Sequence, residues 1–271
     1  MSQVKEKPSK KEESDMGNEI FKRYEIKYLI TDEQRKLIEE AFAKHMVPDE
    51  YGESTICNIY YDTPDYRLIR HSLEGPAYKE KLRVRSYGQI KSGENVFVEL
   101  KKKYDGVVYK RRVTMQENKA RVYLEKNKKI ENPVENDSFI ERQILKEIDY
   151  FKKFYGDLRP AVYLCYDRTA YFSNEDSSFR VTFDKNIRWR TEDMRLTSKP
   201  GGKDILEEGM SLMEIKTATS IPMWLVDILS RENIRKTSFS KYGRAYMQMM
   251  EDREADNNNI IRYDFINRKV G

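Results

Sequence analysis

The sequence is poor in the residues that build disulfide frameworks, zinc sites and nucleophilic triads. Its 271 residues hold only two cysteines and two histidines. Two cysteines in so long a chain make no disulfide framework and point to a reducing compartment. Cys57 and Cys165 each stand in an apolar run without Cys or His company, which argues against zinc and for two core residues. His45 and His71 fall in helical segments and read as structural or surface groups. No Ser-His or Cys-His arrangement is evident. No apolar run approaches the roughly 20 residues that span a bilayer. Residues 1–19 are polar and charged, lack a signal-peptide core and read as a disordered tail. A cytoplasmic protein is expected, with any membrane role resting on a partner in trans.

Charge is abundant. Charged residues are 36% of the chain and hydrophobic ones 38%; Lys plus Arg is 51 against 46 for Asp plus Glu, a net charge of +5. So small an excess does not by itself indicate nucleic acid, and the placement of the cations matters more. The length allows one large domain or two small ones. There is no internal repeat and no clear boundary. A single domain is expected over 20–252, followed by a tail over 253–271 whose run IIRYDF either adds an edge strand or docks elsewhere.

The patterning mixes strands and helices. Segments 21–30, 55–62, 78–87, 95–103, 107–114, 160–172, 178–187 and 211–218 are rich in β-branched and aromatic residues and read as strands. Asp105-Gly106 joins two of them in a hairpin. Thr31 with Gln34, Thr114 with Glu117 and Ser138 with Glu141 have capping-box spacing and open helices. Thr63-Pro64 starts a short helix, and 222–232 and 239–251 complete the set. Met247, Met249, Met250, Trp224, Leu225 and Ile228 lie on helical stripes of the kind that usually pack inward.

Residues i, i+2 and i+4 of a strand share a face. In YKEKLRVRSY one face carries Lys79, Lys81, Arg83 and Arg85, while Leu82 and Val84 take the other. NVFVELKKKY sets Phe97, Glu99, Lys101 and Lys103 against Val96, Val98 and Leu100. Lys110 and Arg112 share a face, as do Glu25 and Lys27 with Arg23, Glu214 and Lys216, and Arg180, Thr182 and Asp184. Like charges about 7 Å apart along a strand repel by about 2 kcal/mol at an effective dielectric near 20, but by about 0.6 kcal/mol in bulk water. An open, solvent-facing sheet tolerates that; an enclosed concave surface needs an anion. Periodicity alone leaves both geometries open.

The segments RYEIKYLI, IYYDTPDY, KLRVRSYG, VFVELKKK, YKRRV, RPAVYLCYDRTAYF, FRVTFD, LMEIKT and SFSKYGRAY, in this order, resemble the catalytic domain of the VTC (vacuolar transporter chaperone) polyphosphate polymerases. These belong to the CYTH-like triphosphate tunnel metalloenzymes. Each segment is weak alone; the ordered set is specific. The resemblance implies an α+β fold built on a closed antiparallel β-barrel, a tunnel with a polar, basic interior and helices packed outside. By position it implies that Lys27, Arg83, Arg85, Lys101, Lys110, Arg168, Arg180 and Lys241 bind phosphate, with Tyr166 and Ser240 as polar contacts. Glu214 matches the metal-binding glutamate, for Mn²⁺ or Mg²⁺. Lys81, Arg112 and Lys216 share those faces and are added as weaker phosphate contacts.

Two departures narrow the resemblance. The wider superfamily often opens with Glu-x-Glu-x-Lys, whereas here Arg23 replaces the first glutamate of Arg23-Tyr24-Glu25-Ile26-Lys27. That favours the VTC branch over the hydrolase branch. The short start leaves no room for an SPX-type regulatory domain or a membrane segment, which are expected to be missing or supplied in trans.

The expected activity is transfer of the γ-phosphate of ATP to a growing inorganic polyphosphate chain. Hydrolysis of triphosphate or a nucleotide at the same site, and a non-enzymatic polyphosphate sensor, are the alternatives. An RNA-binding module is disfavoured, because most tyrosines alternate with the charges and so lie on the opposite strand face, away from any stacking platform.

Overall fold

The computed structural model describes residues 24–105, 107–125 and 138–267, with side chains described through residue 256. The N-terminal stretch, including Arg23, lies outside the described residues.

The chain opens with β1 (Tyr24–Thr31) and α1 (Asp32–His45). The expected capping box forms: Thr31 Oγ1 accepts from the Gln34 amide, and the Gln34 side chain accepts from Thr31 N. A short β2 (Met46–Pro48) leads to β3 (Ser54–Asp62), α2 (Arg67–Leu73), β4 (Tyr78–Tyr87), β5 (Asn95–Tyr104) and β6 (Val107–Gln116). Asp105 at the β5–β6 turn has φ +43°, as a tight hairpin requires. Next come α3 (Glu117–Glu125) and α4 (Phe139–Tyr155), the latter opened by the expected Ser138–Glu141 box. Thr114 caps no helix. It sits inside β6, paired with Phe97, because Val113 and Met115 continue the alternation into the core.

The remaining elements are β7 (Arg159–Ser173), β8 (Arg180–Arg190), β9 (Lys203–Asp204), β10 (Met210–Thr217), α5 (Met223–Arg231), β11 (Lys236–Thr237) and α6 (Lys241–Asn267). The last helix runs on through the IIRYDF segment, so this segment adds no edge strand.

The expected closed barrel does not form. The strands make one open antiparallel sheet in the order β11-β1-β10-β8-β7-β3-β4-β5-β6, with β2 beside β7 and β9 beside β8. The outer edge of β1 pairs with the two-residue β11, not with β6. Charge alternation reports which face is covered; it holds no information on whether edge strands bond each other. The sheet nevertheless curls, since Lys101 Nζ on β5 lies 3.8 Å from Glu25 on β1.

Three apolar clusters hold the curl. Two lie on the convex face: one under α3 and α4, with Leu82, Val98, Leu100 and Ile148, and one under α1 and α5, with Ile38, Phe42, Phe183 and Leu225. The third lies on the concave face and fills one end of it with Tyr60, Leu164, Leu212 and Trp189 against Tyr242 and Met249 of α6. Met249, Leu225 and Ile228 are thus core residues. Cys57 and Cys165 are buried, free, and opposite each other on β3 and β7.

The DTPDY segment anchors this end. Asp62 accepts hydrogen bonds from the amides of Thr63, Leu68 and Ile69 and from the Tyr242 hydroxyl, tying β3, α2 and α6 together. A Cβ at Gly243 would press on Leu73 Cδ2 at 2.9 Å and on Ser240 Cβ at 3.1 Å, so α6 and α2 approach closely there.

Candidate functional site

The rest of the concave face is lined with charge, and the strand register sets the pattern. Arg83 opposes Glu99, Arg112 opposes Glu99 from the other side, and Lys27 opposes Glu214. Like charges also face each other: Lys79 opposite Lys103, Lys81 opposite Lys101, and Lys101 opposite Lys110. Directly opposed like charges destabilise a sheet, so this wall of β4, β5 and β6 is built against its own folding preference.

Two buried carboxylate centres offset part of the charge. On the β8–β10 side, Arg168 forms a two-point bond to Asp184 at 2.6 and 2.7 Å and reaches Glu214 at 3.3 Å. Lys241 bonds Glu214 at 2.9 Å and also Asp184, while Lys27 lies 3.8 Å from Glu214. Burial would raise the Glu214 carboxyl, but Lys241, Arg168 and Lys27 hold it well below the ordinary range.

On the β4–β6 side, Glu99 is 1% exposed and is met by Arg83 at 2.7 Å, Lys110 at 2.9 Å, Arg112, and Arg85 at 3.9 Å. Burial opposes its ionisation, yet Arg83, Arg85 and Lys110 hold it far below the usual carboxylate value. Glu99 therefore serves as the counter-charge of the basic wall. Buried charges require such pairing.

Between the halves, Tyr166 accepts from Arg85 at 3.2 Å, and its ring lies beneath Arg168 and Lys241. Glu25 spans the open side to Lys27 at 3.2 Å and to Lys101. The start of α6 closes in from the end: Lys27 Nζ donates to Phe239 O at 2.9 Å, and Lys81 Nζ donates to Ser240 Oγ at 3.0 Å. Ser240 also accepts from Gly243 N, which fixes the first turn of α6 and with it Lys241.

Every residue expected at the site lies on this face, though they form separate groups. Lys27, Arg168 and Lys241 meet around Glu214, and the last two also hold Asp184. Arg83, Arg85, Lys110 and Arg112 meet around Glu99. Arg180 stands apart, over the Phe172 ring and paired with Asp49 at 3.4 Å, with Lys216 opposite it on β10. Arg180 Nε and Thr182 Oγ1 are buried without a hydrogen-bond partner. Tyr163 OH and Ser211 Oγ are likewise buried without a partner, although buried polar groups are normally satisfied.

Three residues beneath the cations were missed as site residues: Asp184, fully buried; Asn58, which accepts from Arg85 Nε at 2.9 Å; and Tyr60, which accepts from Arg83. The signal for Asn58 was an amide in the middle of the apolar run TICNIYYD.

Burial and crowding depress Lys81 and Lys110, whereas Asp184 and Glu214 raise Lys241. Lys110 is pushed down to about 8, with Glu99 only partly offsetting its burial. Lys81 is pushed down to about 7 by burial and by Lys101, Lys27, Lys79 and Arg83. The concave face thus carries basic groups in excess of its carboxylates, with like charges opposed, and holds a positive potential.

The VTC domain family matches residues 22–250. The chain belongs to that family. A curated relative is the vacuolar transporter chaperone complex subunit 4 of Schizosaccharomyces pombe, 24% identical over 241 residues, covering 74% of this VTC chain and 32% of the relative. The chain thus spans about a third of the length of that relative. Among solved structures, a Vibrio parahaemolyticus protein described as an adenylate cyclase candidate aligns over 83% of this chain and 97% of its own, at 10% identity and a TM-score of 0.42. A Hippeastrum adenylyl cyclase candidate, described as having a dominant triphosphatase activity, aligns over 82% and 96%, at 14% identity and a TM-score of 0.43. No helix among the described residues is long and apolar enough to cross a membrane.

Proposed function

We propose that this VTC domain is a polyphosphate polymerase, transferring the γ-phosphate of ATP to the end of an inorganic polyphosphate chain held along the concave face. The observation that carries the reading is the row Lys81, Lys101 and Lys110, opposed across β4, β5 and β6 and backed by Arg83, Arg85 and Arg112. Only a polyanion relieves such a row along its whole length.

Phosphoryl transfer depends mainly on positioning and charge stabilisation. Arg83, Arg85 and Arg168 offer planar forks already oriented by Glu99, Asn58 and Asp184, while the lysines supply mobile point charges. Lys241 and Arg168, set over Tyr166, flank the place where a transferred phosphoryl group would gather charge. The terminal phosphate of a chain is ionised near neutral pH and needs no general base from the protein.

A divalent cation fits this donor set only in company with substrate. Both Glu214 oxygens already hold cations, and no group of three or more His, Cys, Asp or Glu side chains suited to a metal occurs among the described residues. Glu214 would supply one carboxylate, beside the unpartnered Thr182 hydroxyl that opposes it on β8. Phosphate oxygens would complete the shell, in keeping with the oxygen preference of Mn²⁺ and Mg²⁺. When bound, the ion would neutralise phosphate charge.

Incubating the purified protein with ATP and Mn²⁺ and resolving the products on a gel tests the reading. Long phosphate chains with ADP support it. Free phosphate alone supports a triphosphatase, and tight chain binding without turnover supports a sensor. Partners that carry this domain to a membrane belong to the same proposal.

A further inference from the structure

Lys81 differs from most cations of the basic wall; Lys79 and Lys103 also lack an ion pair among the described residues, but Lys81 is the one tied to the start of α6. Lys27 and Lys101 share Glu25; Arg83, Arg85, Lys110 and Arg112 share Glu99; Arg168 and Lys241 share Asp184 and Glu214. Lys81 has no carboxylate within 4 Å among the described residues; its partner is the neutral Ser240 hydroxyl at 3.0 Å. Cations crowd it from three strands: Lys79 and Arg83 along β4, Lys101 directly opposite on β5, and Lys27 from β1. The start of α6 contributes Ser240. Burial strips water from the amine while these four charges press on it, and no carboxylate among the described residues repays either cost.

We infer that Lys81 is the proton-linked contact of the site: it takes up a proton as a phosphate chain settles along the Lys81–Lys101–Lys110 row, so that chain binding is coupled to pH through this side chain. The inference rests on the reading of the concave face as a phosphate-chain site. The proton comes from solvent, and the neutral amine becomes an ammonium paired with a phosphate oxygen. Ser240 accommodates both forms, since its hydroxyl accepts from the ammonium and can donate to the amine. The α6 cap therefore survives the change.

The sign follows from the depressed amine, which titrates near 7 in the free protein. Below that value Lys81 is already charged and binding costs no proton. Above it each bound chain must recruit one, and affinity falls about tenfold per pH unit until the bound amine itself titrates.

Isothermal titration of the full chain with long-chain inorganic polyphosphate tests this, in buffers of different ionisation enthalpy at about pH 6 and about pH 8. The interior phosphates of such chains keep their charge over this range. Wild type should take up a proton on binding at the higher pH and weaken about tenfold between the two. K81R keeps a charge that does not titrate, so it should lose most of that uptake and weakening, keeping only the smaller share of Lys110, which is pushed down to about 8. K81Q is neutral at both pH values, so it should lose this uptake and bind more weakly than wild type at both. A wild type whose affinity and proton uptake match those of K81R overturns the inference and leaves the chain-site reading intact. A wild type that does not bind polyphosphate at all overturns both.

Discussion

Lys101 on β5 and Glu25 on β1 lie 3.8 Å apart, although five strands stand between theirs in the order of an open sheet. No backbone ladder joins β1 to β6. The two flanks of the curl meet through side chains, at this pair and where Lys81 and Lys27 hold the start of α6.

The Glu25 contact should make stability acid-sensitive in a defined window. Burial would raise this carboxyl, but Lys101 and Lys27 bring it down from 4.5 to about 2. A depressed carboxyl stabilises the fold above its unfolded value, and that contribution is lost as pH falls from 4.5 towards 2. Both partners are partly exposed, so a Glu25→Gln, Lys101→Met double-mutant cycle by denaturant unfolding should give a coupling of at most about 1 kcal/mol, shrinking with salt.

Glu99 should behave differently. Glu99→Ala leaves four cations without their buried counter-charge and is expected to cost about 3–5 kcal/mol. Tripolyphosphate should restore a large share of the lost melting temperature, because it supplies the missing anion. A thermal melt of the variant with and without the ligand checks this, and a loss that tripolyphosphate leaves untouched would show that the wall does not receive phosphate.

Asp62 is a structural carboxylate and should show the opposite signature. Asp62→Ala removes the acceptor for three backbone amides and for the Tyr242 hydroxyl, and should destabilise by about 3 kcal/mol or more. Unlike Glu99→Ala, this variant should gain no more from tripolyphosphate than wild type does.

Chain binding should fall steeply with salt. Contacts to a polyphosphate release its counterions, so log affinity should drop linearly with log salt. Lys101→Met should weaken binding and reduce that slope by about one, by analogy with a single lost phosphate contact on nucleic acid. An unchanged slope would take Lys101 out of the site.

Glu214→Gln should lower turnover while chain binding persists, since Lys241 and Arg168 keep Asp184. Steady-state assays across Mn²⁺ concentrations check this; unchanged turnover at every concentration removes the proposed metal role.

The common face of the strand charges was legible in the sequence because strand alternation is a local property. The spacing of Lys79, Lys81, Arg83 and Arg85 fixes their common face whatever the strand pairs with. The capping boxes at Thr31 and Ser138 were legible for the same reason. Long-range pairing was not. Nothing in YEIKYLIT says that β1 takes the short β11 as its second neighbour, so the open sheet was unreadable. Nor does the alternation reveal that Glu99 gathers four cations or that Asp184 lies beneath Arg168, because those contacts depend on register between strands far apart in sequence. Thr114 misled because capping-box spacing also occurs at the end of a strand that still has Met115 to bury.

The most direct test of the central claim is the fate of the ATP γ-phosphate, followed by ³¹P NMR in the presence of Mn²⁺. The account predicts growth of interior-phosphate resonances, those of phosphates bonded on both sides, in step with ADP. ADP formed with only inorganic phosphate would contradict it.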